Sequence, residues 1–273
     1  MMNSQDPLLA AVSGGVRLIE LGQPFFTGMP CSPNHPGFRM TLIRRHGDME
    51  RPDGGSAANE IIVTGGHVGT HIDALSHVSH KGELHGGISA AGAQHGGSFS
   101  QHGAENLPGL LRRGVLLDVA AVHEVATLPP GYGVTARDLD LAAERAGTGP
   151  GAGDVALIRT GWSRNFGDAA AYLGRETGVP GATPSAARWL AERGIVATGA
   201  DTTAYEQIPE GAGHAVLPVH RILLVEAGIF ILEHLNLEAL AEAGLHEFVF
   251  VLAPLRIRGG TGSPVRPLAA VTA

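Results

Sequence analysis

The stretch that decides the fold runs from Val115-Leu116-Leu117-Asp118-Val119 through Thr135-Ala136-Arg137-Asp138, Asp154-Val155-Ala156-Leu157-Ile158 and Thr183-Pro184 to Ile195-Val196-Ala197-Thr198. The three aliphatic runs are short and lack polar alternation, as strands buried on both faces do. Between the first and second, Thr135 and Asp138 have the spacing of a capping box, and the helix they open ends near Gly147. Between the second and third, Thr183 stands as N-cap before a proline at the first helical position, with Gly194 past the end. Strand and helix alternate, which predicts an α/β fold.

Working outward, Val16 to Ile19, Phe38 to Ile43, Ile61 to Thr64, Ile229 to Leu232 and Phe248 to Leu252 also read as strands, and a third helix as Asn236 to Gly244. The N-terminal part of the chain is strand and loop with little helical periodicity, so the expected architecture is a mixed sheet with flanking helices. The irregular stretch Ser79 to Pro108 exceeds ordinary loop length and is expected to carry function or short helix. No linker or charge run divides the chain, so residues 1–273 are expected to form one domain.

Composition excludes several function classes. The formal net charge is −7 and the arginines are scattered, without a basic stripe carrying aromatics, so nucleic acid is not an expected partner. No run of 18 apolar residues occurs and Met1 to Gly22 lacks the pattern of a leader, so no membrane association and a cytoplasmic location are expected. Cys31, the single cysteine, reads as a free structural thiol and leaves any metal to nitrogen and oxygen ligands. There is no Gly-x-Ser-x-Gly, His-Glu-x-x-His or Walker A pattern, and Gly149-Pro150-Gly151-Ala152-Gly153 precedes a strand instead of opening a helix, so it reads as a turn.

The chemistry concentrates in His67-Val68-Gly69-Thr70-His71-Ile72-Asp73-Ala74-Leu75-Ser76-His77. Of 14 histidines, seven fall between His67 and His102, where even spacing would place about two. In an extended backbone His67, Gly69, His71 and Asp73 point to one side, and Gly69 leaves that side clear between the imidazoles. In a helix Asp73 would lie roughly 160° from the mean direction of the two histidines, so an extended or kinked backbone is the form that gathers all three. Two imidazoles and a carboxylate suit Zn²⁺, Mn²⁺ or Fe²⁺ and leave open positions for water and a carbonyl, while His77 is free to move protons. The pattern alone leaves surface or structural histidines as an open alternative.

His67-x-Gly69-Thr70-His71-x-Asp73-x3-His77 resembles the signature of the cyclase superfamily of metal hydrolases, which includes kynurenine formamidases and isatin hydrolases. The likeness extends through Val219-His220-Arg221-Ile222-Leu223-Leu224, Gly228-Ile229 to Glu233, Ala253-Pro254-Leu255 and Thr261-Gly262-Ser263-Pro264-Val265-Arg266, and is loose over residues 79–150. The resemblance implies a swivelling β/β/α fold, His67, His71 and Asp73 as metal ligands, His77 as catalytic acid/base, and His220 with Glu233 completing a second metal position bridged by Asp73. Two departures matter: Leu75 stands where formamidases carry proline, as in the isatin-hydrolase branch, and the His220-to-Glu233 spacing is one residue longer than theirs. Together they imply one tightly held ion, Mn²⁺ or Zn²⁺, with the second in question.

The activity so implied is opening of a small cyclic amide, an isatin-like lactam. The alternative is arylformamidase action on N-formylkynurenine, and a third reading is a protein that only binds metal. The partners implied are a small aromatic amide and a second copy of the chain, as a homo-oligomer and in particular a dimer. Phe25, Phe26, Trp162 and Tyr205 are candidates to stack on an aryl ring, and Asp201 to line the site as a strand-end acid; each could equally be core.

Overall fold

A computed structural model describes residues 6–213 and 216–272. The strands of its main sheet are β1 (Val16–Glu20), β2 (His71–Asp73), β3 (Leu110–Asp118), β4 (Val155–Arg159), β5 (Ala197–Ala200), β6 (Phe230–Glu233), β7 (Glu247–Leu252), β8 (Gly262–Pro264) and β9 (Leu268–Thr272). They lie in the order β1-β9-β7-β3-β4-β5-β6-β2-β8. The four central strands β3 to β6 are mutually parallel, and both flanks are antiparallel. This is the mixed α/β sheet expected from the alternation.

The crossovers are α1 (Ala136–Ala146) and α2 (Pro184–Glu192). The box at Thr135 and Asp138 is reciprocal and α1 ends on Gly147 in the left-handed conformation, which satisfies orphan groups at both ends. Thr183 does not cap α2 with its side chain; the hydroxyl donates instead to Val134 O at 2.8 Å. β4 is buried at all five positions, with Ala156 and Ile158 packing towards α1 and α2 and Val155 and Leu157 towards the opposite layer. That is why its sequence shows no polar alternation.

Ser79 to Pro108 resolves into two-residue strands, a four-residue helix at Ala90–Ala93 and a 3₁₀ turn at Ala104–Asn106. His85 ties the stretch to the body, its Nδ1–H donating to Val225 O at 3.0 Å. The third helix is shorter than expected, Glu238–Glu242. Arg39–Arg44 and Asn59–Val63 pair only with each other, in a hairpin exposed along its whole length. Cys31 is half-buried, and burial raises its thiol above the ordinary range, as suits a structural thiol. Among the described residues no helix is long and apolar enough to cross a membrane.

Candidate metal centre

β2 owes its position to its neighbours. Wedged antiparallel between β6 and β8, it sets His71 opposite Glu233 and Asp73 opposite Gly262. Only glycine fits at Gly262, because a Cβ there would lie 2.6 Å from the His67 ring. The strand is also pinned from below, with the Thr70 hydroxyl donating to His234 O at 2.7 Å and accepting from Gln23 N–H at 2.8 Å.

The backbone that brings His67 over His71 is kinked, not extended. Residues 66–70 form a turn, and Gly69 has φ +63°. Gly69 therefore does not keep the space between the imidazoles clear. A Cβ there would meet Met29 Cε at 2.6 Å and Phe25 Cζ at 2.7 Å on the side facing the apolar cluster. Its carbonyl accepts from His71 Nδ1–H at 2.7 Å, which fixes the tautomer and turns Nε2 towards Asp73 and Glu233, 3.5 Å from each. His220 is held the same way: Nδ1–H donates to the buried Glu206 at 2.5 Å, and Nε2 lies 3.2 Å from Glu233 and 3.7 Å from Asp73 Oδ2. Backing a ring nitrogen with a carbonyl or carboxylate is how proteins orient metal-ligating histidines.

Ligand atoms within 4.8 Å of one another occur as three groups: His67, Asp73, His77; His71, Glu233, His234; and Asp73, His220, Glu233. Asp73 Oδ2 and His234 Nδ1 are buried without a hydrogen-bond partner, which in so polar a cluster points to a ligand they await. Burial alone would lower both His71 and His220. Asp73 and Glu233 outweigh it at His71, raising that group, and Glu206 and Glu233 carry His220 to about 10. The position thus attracts positive charge. Burial would raise Asp73, yet His77 and His67 beside it hold the carboxyl well below its usual range.

His67 is placed differently from the other two. Its Nδ1–H donates to Asp73 at 2.8 Å while Nε2 accepts from the Thr261 hydroxyl at 2.9 Å. His77 stacks on it with ring centroids 3.8 Å apart, and burial with the neighbouring His67, His220 and His71 lowers His77 to about 3. It is a neutral imidazole facing a cavity of about 210 Å³ lined also by His35, His71, His220, Glu233 and His234.

The longer spacing between His220 and Glu233 proves harmless. Arg221–Ala227 forms a π-helix, whose wider turn takes up an extra residue, and the two side chains still meet. The spacing argument against a second metal position therefore falls away.

The five expected substrate contacts do not line this cavity. Phe25 packs edge-on against Phe38 beneath Gly69, and Phe26 against Phe166 on the surface. Trp162 is buried with Nε1–H donating to Tyr172 O, and the Tyr205 hydroxyl bonds Thr198 inside the core. Asp201 is consumed by Thr160 N–H, the Thr160 hydroxyl and Gly161 N–H at 2.6 to 2.9 Å. Conversely, His35, Glu206, His234 and Thr261 were not anticipated. Adjacency to Glu233 was the one available signal for His234.

Residues 19–207 match the family model described as putative cyclase. The chain belongs to the cyclase family. Isatin hydrolase from Roseibium aggregatum is 30% identical over 223 residues, covering 80% of this chain and 77% of that protein. Among solved structures, one described as a novel cyclase aligns with TM-score 0.84 at 28% identity, over 97% of this chain and 91% of that one. An isatin hydrolase bound to the product analogue thioisatinate aligns with TM-score 0.76 at 27% identity over the full length of both. This cyclase-family chain is accordingly a hydrolase, and its histidine and carboxylate cluster fits a divalent metal.

Proposed function

We propose that the chain is a metal-dependent amidohydrolase that opens a small, isatin-like lactam. The observation that carries this is the buried, unpartnered Asp73 Oδ2 among imidazoles held from behind; the likeness to isatin hydrolases supports the substrate class. His67, His71 and Asp73 would hold one ion, Mn²⁺ or Zn²⁺, although among the described residues the tight groups pair His67 and Asp73 with His77 and set His71 with Glu233 and His234. Asp73, His220 and Glu233 would hold a second ion. When bound, the ion supplies a Lewis acid that polarises the amide carbonyl and eases deprotonation of water.

The protein's own contribution is proton transfer. His77, facing the cavity, accepts through its imidazole the proton lost by the attacking water and returns it to the ring nitrogen as the C–N bond breaks. Glu206 keeps the His220 ring aimed at Asp73 and Glu233, and Gly69 does the same for His71.

The reading extends to a homodimer. Met40, Leu42, Ile43, Ile61, Ile62 and Val63 are exposed on both faces of the hairpin, where a monomer gains nothing from them. Replacing Ile43 and Ile62 by Glu should convert a dimer into monomers in sedimentation; a wild-type monomer refutes this part.

The decisive experiment supplies the purified protein with Mn²⁺ or Zn²⁺ and assays lactams, formamides and lactones. Lactam opening without formate supports the proposal, and formate release would move the chain to arylformamidase activity. His71→Ala should lose metal and turnover, whereas His77→Ala should lose turnover and keep metal. Loss of metal in His77→Ala refutes the division of roles, and no hydrolysis of any panel member refutes the activity.

A further inference from the structure

The cavity over the metal cluster has a neighbour. Ser32, Asn34 and Thr203 line both it and a second chamber of about 290 Å³, so these three form the wall the two share. Small-molecule sites span roughly 300–1,000 Å³, a range that the inner 210 Å³ does not reach without the outer chamber. The chambers differ in character. The inner one is crowded with imidazoles and carboxylates, whereas the outer is walled by Leu173 and Ile208, and Arg175 is the only ionisable group among the described residues that line it.

Arg175 forms no ion pair with any described residue, while Arg113, Arg159 and Arg164 are each held by carboxylates. Its backbone is nonetheless fixed. Gly174, with φ +50°, ends the helix Ala169–Leu173, and its carbonyl accepts from Gly178 N–H at 2.7 Å. A Cβ on Gly174 would lie within 2.3 Å of Gly178 O, so the turn permits only glycine there. Trp162 locks the same helix through Tyr172 O. A turn fixed at Gly174 thus sets the exposed Arg175, in no ion pair with a described residue, on the wall of a chamber adjoining the hydrolytic centre.

We propose that the outer chamber is a carboxylate-recognition subsite: the substrate is an amide whose apolar body lies against Leu173 and Ile208 and carries a carboxylate that meets Arg175. This rests on the amidohydrolase reading of the inner chamber. A guanidinium is matched in shape and charge to a carboxylate, and the apolar walls weaken competition from water.

The test compares a lactam bearing a carboxyalkyl arm with the same lactam ending in a primary carboxamide. Wild type should favour the carboxylate in kcat/KM by about fivefold at low salt, less as salt screens the pair. The ratio should fall to about one in Arg175→Gln and invert in Arg175→Glu. Turnover of both compounds without preference, or a preference that survives Arg175→Gln, overturns the subsite and leaves the hydrolase reading standing. If neither lactam is opened, the lactam reading of the inner chamber fails, and binding decides the subsite. 4-Phenylbutanoate should then bind wild type several-fold more tightly than Arg175→Gln, and equal affinities overturn the proposal.

Discussion

Gly69→Ala separates two costs that the structure allows to be worked out independently. The first is backbone: at φ +63° an alanine pays about 1–2 kcal/mol for the left-handed conformation. The second is space, since the new Cβ would sit 2.6 Å from Met29 Cε and 2.7 Å from Phe25 Cζ. Overpacking of this kind costs about 1–3 kcal/mol, which brings the expected destabilisation to about 2–5 kcal/mol. Gly96→Ala is the control, because Gly96 has φ +60° but nothing within 4 Å of its would-be Cβ; it should lose only the backbone part. Urea unfolding of both variants, without added metal, reads the difference. Because the Gly69 carbonyl orients His71, Gly69→Ala should also weaken metal affinity about tenfold by chelator competition. Equal destabilisation of the two variants, or unchanged metal affinity, would refute the account of the kink.

Glu206→Gln keeps the shape behind His220 but removes the carboxylate, so metal affinity should fall about 10- to 100-fold with the fold intact by circular dichroism; unchanged affinity argues against Glu206 as a positioning residue. Arg159 joins Asp118 at 2.8 Å to Glu238 at 2.9 Å; Arg159→Ala strips the buried Asp118 of its guanidinium while Glu238 keeps Arg164, at an expected cost of about 3 kcal/mol in denaturant unfolding. At Asp138 burial opposes ionisation, but bonds from Thr135 and His123 prevail and hold its pKa below the unfolded value. The folded state therefore binds fewer protons in that range, and the stabilisation is full above about pH 4 and lost on acidification. Asp138→Asn should cost about 1 kcal/mol near neutrality and progressively less towards pH 2, as measured by urea titrations; a pH-independent difference contradicts this.

The sheet was legible because its strands are either buried on both faces or bounded by sharp turns. All eight aliphatic runs are strands to within a few residues, and the capping box at Thr135 marked α1 to the residue. β2 was not legible as a strand: three residues hold no periodicity, and it exists only because β6 and β8 close around it. An extended or kinked backbone from His67 to Asp73 was readable from spacing, but not that the kink falls at Gly69, since the need for glycine there arises from Phe25 and Met29, distant in sequence. Glu206 and Thr261 were out of reach for the same reason, each meeting its histidine across many intervening residues. The aromatic candidates misled because scarcity of aromatic rings says nothing about where they pack. Trp162 and Tyr205 serve the core.

The wedging of β2 between β6 and β8 sets a schedule for synthesis. A ribosome adding about 5–20 residues per second finishes His71 to Asp73 roughly ten to forty seconds before it reaches Gly262 to Pro264. For most of that interval, until Glu233 is made, the histidine-rich segment has no neighbouring strand to join. Any ion it picks up is held by a floppy chain that ranks metals by raw affinity, in which copper outcompetes manganese and zinc. The finished cluster, with its imidazoles locked from behind, exists only once the strand Gly262–Pro264 has closed on His71 to Asp73, so under the proposed metal-dependent reading any selectivity among ions would belong to the folded chain and not to the nascent one.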